Sequence, residues 1–106
     1  MATGMDDRRR GFEFKWAHDA ELRFQVEARR NRALGEWAAA QKGLTGQAAE
    51  DFVGSVIAAD FQEAGDEDVF RKLRSELEPS VSDAVIRDKM RECLQAAVDA
   101  LSKIAK

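Results

Sequence analysis

Apolar residues recur every three or four positions along most of this chain, which is the spacing of one face of an α-helix. Residues that end helices interrupt the pattern at Gly43, Gly65 and Pro79. Alternating runs of β-branched residues, which are typical of strands, are absent. The patterning predicts an all-α chain with helices near residues 7–41, 45–64, 66–78 and 82–105.

Capping residues stand at the predicted helix ends. Gly43 follows the first helix, and Thr45 is placed to cap the second. Gly65 is placed to close the second helix at its C′ position, and Asp66 to open the third. Ser82 is a favourable N-cap for the fourth helix.

Each predicted helix carries one apolar stripe, and the short connections between helices favour antiparallel neighbours. The stripes are Leu22, Val26, Ala33, Leu34, Trp37 and Ala38; Phe52, Val53, Val56 and Ile57; Val69, Phe70, Leu73 and Leu77; and Ile86, Met90, Cys93, Leu94, Ala97, Leu101 and Ile104. A four-helix bundle buries all of them. The first helix is longer than its partners, so at about 1.5 Å per residue its first fifteen or so residues should project beyond the bundle. We therefore expect a projecting N-terminal segment, residues 1–19, that can be flexible, and a bundle domain, residues 20–106.

Composition narrows the class of protein. A chain of 106 residues is one small domain, and a net charge of −3 gives no general attraction to nucleic acid or to membrane phosphates. Cys93 is the only cysteine, so an internal disulfide is excluded, and a small buried hydrophobe is its expected role. The apolar runs are too short for a membrane span or a signal peptide. A soluble, cytoplasmic protein is expected.

The sequence shows no convincing catalytic set. His18 is the only histidine, which excludes a histidine-rich metal site. The acidic run "EAGDED" fits a helix end followed by an acid-rich helix start better than it fits a calcium loop. Glycine-rich phosphate-binding motifs are absent. We expect no enzyme activity, no metal and no cofactor.

The basic run "ARRNR" allows three interpretations. Arg30 lies in the middle of one apolar stripe and Asp60 in the middle of the next, so a helical hairpin would pair them, with Arg23 as a second possible partner of Asp60. Alternatively, Arg23, Arg29 or Arg30 could bind an anion such as a phosphate, with the Trp37 ring beside it. A nucleic-acid surface is the weakest interpretation, because glutamates are interleaved with the arginines.

Three large aromatic residues alternate near the start of the chain, in "GFEFKWAHD". On a helix, Phe12 and Trp16 share a face while Phe14 points almost the opposite way. Such a helix needs two apolar surfaces, which a cleft in a partner protein would supply. Alternatively, Phe12 and Trp16 fold back on the bundle.

The chain resembles a known family over nearly its whole length. The stretches "DDRRRGFEFKWAHDAELRFQVEARRNRALGEWAA", "AADFQEAGDEDVFRKLRSEL" and "VSDAVIRDKM", in this order, are similar to the zeta subunit family of alpha-proteobacterial F-type ATPase inhibitors, formerly a domain of unknown function. The resemblance implies a four-helix fold. It also implies inhibition of ATP hydrolysis by an N-terminal segment that enters the catalytic head of the ATP synthase, at the cytoplasmic face of the inner membrane.

The resemblance also assigns residues. It carries the inhibitory, partner-binding role onto Asp7, Arg8, Phe12, Glu13, Lys15, Trp16, Ala17, His18 and Asp19. A second hypothesis is a sensor that binds adenine nucleotide inside the bundle. Its candidate ligand-binding residues are Arg23, Arg29, Arg30, Trp37 and Asp60.

Overall fold

Helices account for all the regular structure in the described part of the chain. The computed structural model describes residues 11–12, 15–16, 18–60 and 66–104. Within these described ranges four helices follow one another: α1 (Ala20–Gln41), α2 (Gly46–Ala59), α3 (Glu67–Glu76) and α4 (Asp83–Ile104). The described residues before α1 also have helical backbone, except Asp19. The prediction of an all-α, four-helix chain is confirmed.

The helices pack as a bundle in which sequence neighbours are also spatial neighbours. Helix α1 packs against α2 and α4, and α3 packs against the same two helices. Gly35 of α1 meets Val53 of α2, and Arg30 pairs with Asp60, so α1 and α2 form an antiparallel hairpin. This pairing follows from the short connection between the two helices.

The first helix begins at Ala20, so the predicted continuous helix over residues 7–41 is wrong. Asp19 has an extended backbone, with φ −116° and ψ 114°, and occupies the N-cap position. Its side-chain oxygen Oδ1 accepts a hydrogen bond from the Leu22 backbone N–H at 3.0 Å. A capping aspartate satisfies a backbone donor that would otherwise be unpaired at the helix start. The chain therefore changes direction between the opening segment and α1.

The end of α1 follows the sequence prediction closely. Gly43 has a positive φ of 72°, which a glycine adopts without steric cost. Its N–H donates to the Ala40 carbonyl at 3.1 Å, and the Leu44 N–H donates to the Ala39 carbonyl at 2.9 Å. These two bonds form a Schellman motif, which ends a helix and turns the chain towards the next one.

The other predicted helix ends have mixed outcomes. The Ser82 hydroxyl accepts a hydrogen bond from the Val85 N–H at 3.2 Å, as expected of an N-cap. Thr45 occupies the N-cap position of α2, but its side chain makes no capping bond. Helix α2 ends at Ala59, so the predicted end at residue 64 is wrong. Gly65 lies outside the described residues.

Two apolar clusters form the core, and they share no member. The first cluster contains Leu34, Ala38, Ala39, Phe52, Val56, Val69, Leu73, Leu77, Ile86 and Met90. The second cluster contains Phe12, Val26, Ala97 and Val98, with Trp16, Leu22, Leu94 and Leu101 half-buried against it. Ile104 was expected in the stripe of the fourth helix but is 67% exposed. None of the helices in the described ranges has the length and apolar content that crossing a bilayer requires.

Candidate functional site

Phe12, near the start of the chain, is a core residue. Its exposed fraction is 6%, and it packs with Val26, Ala97 and Val98 in the second cluster. Trp16 lies half-buried against the same cluster. The interpretation in which only a partner protein supplies apolar surfaces for these two rings is therefore wrong. The alternative interpretation, in which they fold back on the bundle, describes this structure.

The short length of α2 explains why the rings of Phe12 and Trp16 can pack against the second cluster. This helix ends beside the middle of α1, where Asp60 meets Arg30. Towards its N-terminus, α1 is therefore covered by α4 alone among the four helices that the structure describes. The second cluster leaves an apolar groove there, formed by Val26, Ala97 and Val98 with half-buried Leu22, Leu94 and Leu101, which we call the α1–α4 groove. Phe12 and Trp16 occupy it.

The other predicted inhibitory residues lie on the surface or outside the described part. Lys15 and His18 are exposed and have helical backbone. Asp19 is exposed and caps α1, a structural role that the sequence prediction had not assigned to it. Asp7, Arg8, Glu13 and Ala17 lie outside the residues whose side chains the structure describes.

A polar layer centred on Arg30 lies along α1 between Val26 of the second cluster and Leu34 of the first. Arg30 is only 4% exposed. Its Nη2 lies 3.4 Å from Asp60 Oδ1, and its Nη1 lies 3.7 Å from Asp66 Oδ2. Its Nε donates a hydrogen bond to Asn31 Oδ1 at 3.0 Å. The predicted ion pair between Arg30 and Asp60 is confirmed.

Sequence reasoning missed two members of this polar layer, Asn31 and Asp66. Asp66 had been assigned to the start of α3, where it occupies the N-cap position without a side-chain capping bond. Its carboxylate instead faces Arg30. A signal was present, because a buried guanidinium has five N–H donors and one carboxylate cannot satisfy them all. Further hydrogen-bond acceptors close to Arg30 in the fold were therefore to be expected.

A cavity of about 180 Å³ opens beside the polar layer. Arg23, Glu27, Asn31 and Asp60 supply its polar lining, and Phe24 is among its apolar lining residues. Burial, followed by the nearby charge of Asp60, raises the pKa of Glu27 above its ordinary value, although Arg30 and Arg23 oppose the shift. The site is thus one in which two carboxylates, Glu27 and Asp60, both interact with Arg30.

Only some of the predicted ligand-binding residues come together at this cavity. Arg23 and Asp60 line it, and Arg30 lies behind them in the polar layer. Arg29 is exposed and is not part of the lining. Trp37 packs half-buried against the first cluster, and the centroid of its ring lies 5.8 Å from Lys89 Nζ.

The remaining candidate, Cys93, has the character of a structural residue. It is half-buried against the first cluster, and burial raises the pKa of its thiol. A raised pKa keeps the sulfur protonated and therefore unreactive at neutral pH. These properties agree with the expectation that Cys93 serves as a small buried hydrophobic residue.

The fold and the site define a small all-α helical bundle whose central charges bind one another, with an aromatic segment packed beside it. The sequence model of one family, described as ATPase inhibitor subunit zeta, matches residues 1–100. The chain belongs to this family, as its sequence patterns had indicated. A comparison with curated proteins gives no match.

Proposed function

We propose that this protein inhibits ATP hydrolysis by the F-type ATP synthase, and that its opening segment does so by inserting into the catalytic head. The family supports the inhibitory role, and its match includes the opening segment. In this proposal residues 1–19 bind the partner and the bundle, residues 20–106, carries them. The inhibition is a steric block, so it needs no cofactor and no chemistry by this chain.

The observation that carries the proposal is the pair of aromatic rings at Phe12 and Trp16. The two residues are four positions apart, and both pack against the second cluster, so their rings form one aromatic face. Large aromatic side chains on one face commonly supply most of the binding energy of a protein interface. Asp19 separates this segment from α1, so the segment can be presented to a partner while the bundle remains folded.

The aromatic face also indicates the kind of partner, because a helix with apolar side chains on two sides needs a cleft. The catalytic head of an F-type ATP synthase has clefts between its subunits that can surround a helix on two sides. A protein that acts there would be found at the cytoplasmic face of the inner membrane, as the resemblance implies. The net charge of −3 gives no support for nucleic acid as a partner.

The test is an ATP hydrolysis assay on isolated catalytic heads. The full chain should inhibit, and a chain lacking residues 1–18 should not. Phe12→Ala combined with Trp16→Ala should weaken inhibition by orders of magnitude, because each fully desolvated anchor can contribute about 2 kcal/mol or more. Phe24→Ala is the matched control, since this phenylalanine is 55% exposed and lies outside the segment.

Inhibition by the truncated chain that equals inhibition by the full chain would refute the proposal. The proposal would also be refuted if Phe12→Ala combined with Trp16→Ala reduced inhibition by no more than it reduced the fraction of folded protein. The folded fraction is therefore measured by circular dichroism under the assay conditions for every variant.

The geometry favours this function over an adenine-nucleotide sensor. The cavity of about 180 Å³ is smaller than the roughly 300–1,000 Å³ of most ligand sites. Two carboxylates, Glu27 and Asp60, line it and would repel phosphate groups. Arg30, one of the three arginines expected to bind a phosphate, already pairs with Asp60 and Asp66. Calorimetric titration of the full chain with ADP distinguishes the two hypotheses.

A further inference from the structure

The two rings proposed to bind the catalytic head are the same rings that fill the α1–α4 groove. Phe12 is 6% exposed in the groove, so its ring cannot contact a partner while it is docked there. Trp16 has part of its surface against the same groove. The groove and the partner protein must therefore compete for one aromatic face.

We propose that docking of Phe12 and Trp16 in the α1–α4 groove is an autoinhibitory contact, and that its stability sets how strongly the protein inhibits. This inference rests on the proposed function. The groove holds the aromatic face in an inactive position, and the catalytic head captures it only when it is released.

The structure provides a place for the release. Asp19 is the one described residue between Gly11 and Gln41 without helical backbone. Its carbonyl accepts the Arg23 N–H at 2.9 Å, and its side chain accepts the Leu22 N–H at 3.0 Å. These two bonds fix the start of α1 independently of the residues before it. The segment can therefore leave the groove by rotation at this junction, with α1 intact.

The structure also shows that release need not unfold the bundle. The first cluster contains ten buried residues, nine from the four helices and Leu77 directly after α3, and none of them belongs to the α1–α4 groove. The Arg30 polar layer lies between this cluster and the groove. Undocking therefore exposes one end of the bundle while the larger core remains packed, which is a local opening rather than global unfolding.

The effect on potency follows from the population of the released state. When only a fraction of molecules is competent to bind, the apparent dissociation constant rises by the inverse of that fraction. If docking holds about 99% of molecules inactive, weakening it to about 90% makes inhibition about tenfold more potent. A substitution in the groove, away from the inhibitory segment, should therefore improve the inhibitor.

The test variant is Val98→Ala, which shortens a groove side chain on α4 that is only 3% exposed. The matched control is Val85→Ala, the same change on the same helix at a position that is 46% exposed and outside the groove. Leu101→Ala is a second groove variant, nearer the end of α4, for use if Val98→Ala does not fold. Docking is followed by acrylamide quenching of Trp16 fluorescence in a Trp37→Phe background, because the chain has two tryptophans.

We expect the accessibility of Trp16 to quencher and the potency of inhibition to change together. Val98→Ala should make Trp16 more accessible to quencher and lower the half-inhibitory concentration in the hydrolysis assay about three- to tenfold. Val85→Ala should change neither quantity. Thermal unfolding measured in parallel shows that the first cluster is intact.

Two other results separate this inference from the proposed function. If truncation of residues 1–18 abolishes inhibition but Val98→Ala exposes Trp16 without improving inhibition, the autoinhibitory contact is refuted and the proposed function stands. If Val98→Ala inhibits less strongly than Val85→Ala, the autoinhibitory contact is also refuted and the proposed function stands. The groove would then help to present the inhibitory segment to the partner. If the truncated chain still inhibits, the proposed function fails and this inference fails with it.

Discussion

Arg30 shows how one charged residue can be accommodated inside a small apolar core. Its guanidinium reaches Asp60, Asp66 and Asn31, so three of its nitrogen atoms have partners. A buried ion pair of this kind adds little net stability, but the loss of one partner leaves an uncompensated charge. The pair therefore specifies how α1 and α2 are aligned more than it strengthens their packing.

Removing Asp60 should consequently be costly. We expect Asp60→Ala to lower the free energy of unfolding by about 3 kcal/mol, at the low end of the range for broken buried pairs, because Asp66 remains near Arg30. Asp66→Ala is the control: Asp66 is 53% exposed, and its loss should cost less than about 1 kcal/mol. Urea unfolding measures both. Equal costs for the two variants would contradict the central role of Asp60.

Phe12 allows a second prediction about a single residue. Its docking buries an almost complete aromatic side chain, so Phe12→Ala should lower the free energy of unfolding by about 1.5–3 kcal/mol. Phe24→Ala removes the same ring from a site that is 55% exposed and should change stability by about 0.5 kcal/mol at most. Chemical denaturation measures the difference. Similar values for the two variants would show that Phe12 is undocked in solution.

Glu27 gives a prediction about pH. Burial raises its pKa, so the folded state binds a proton more readily than the unfolded state does. The stabilising contribution of Glu27 is therefore fully present below its ordinary pKa of 4.5 and is lost as the pH rises through the raised value. Glu27→Gln should raise the melting temperature at pH 7, and the gain should shrink below pH 4.5. A gain that is the same at both pH values would contradict this assignment.

At the scale of elements, the contact between α1 and α2 depends on a close approach at Gly35. A Cβ atom built on Gly35 would lie 3.1 Å from the backbone Cα of Val53. The two helices pack at this distance because glycine leaves room for the opposing backbone. The polar partners Arg30 and Asp60 lie on the same two helices and are brought together by this hairpin.

Gly35→Ala should therefore force the two helices apart. We expect a destabilisation of about 1–3 kcal/mol from overpacking, reduced by the roughly 1 kcal/mol that alanine gains over glycine in a helix. The matched control is Gly54→Ala in α2, where an added Cβ meets nothing within 4 Å. That variant should be more stable than the wild type by up to about 1 kcal/mol. Thermal unfolding of Gly35→Ala and Gly54→Ala measures both changes in stability. An increase in stability for Gly35→Ala would contradict the close contact between Gly35 and Val53.

At the scale of the whole molecule, the two apolar clusters make unequal contributions to folding. Deletion of residues 1–18 removes Phe12 and Trp16 from the second cluster but leaves the first cluster untouched. We expect the truncated chain to unfold cooperatively at a lower temperature than the full chain. Differential scanning calorimetry measures this change. Loss of the cooperative transition would show that the opening segment is an integral part of the fold.

Local sequence signals predicted the helices and most of their ends. The Schellman motif at Gly43 and the cap at Ser82 depend on residues within one turn, so the sequence carries the necessary information. The pairing of Arg30 with Asp60 was also predictable, because both interrupt apolar stripes and a short hairpin sets their alignment. The break at Asp19 was missed, since the helical pattern continues across it.

The sequence by itself determined that this chain forms four amphipathic helices around a buried ion pair, and that it belongs to a family of ATPase inhibitors. Tertiary structure decided where Phe12 and Trp16 lie. Their position depends on how far α2 extends along α1 and on which face of α4 is left uncovered. Helical periodicity is a local property that each segment carries alone. Coverage of a groove depends on three segments distant in sequence, and only the packed molecule fixes it.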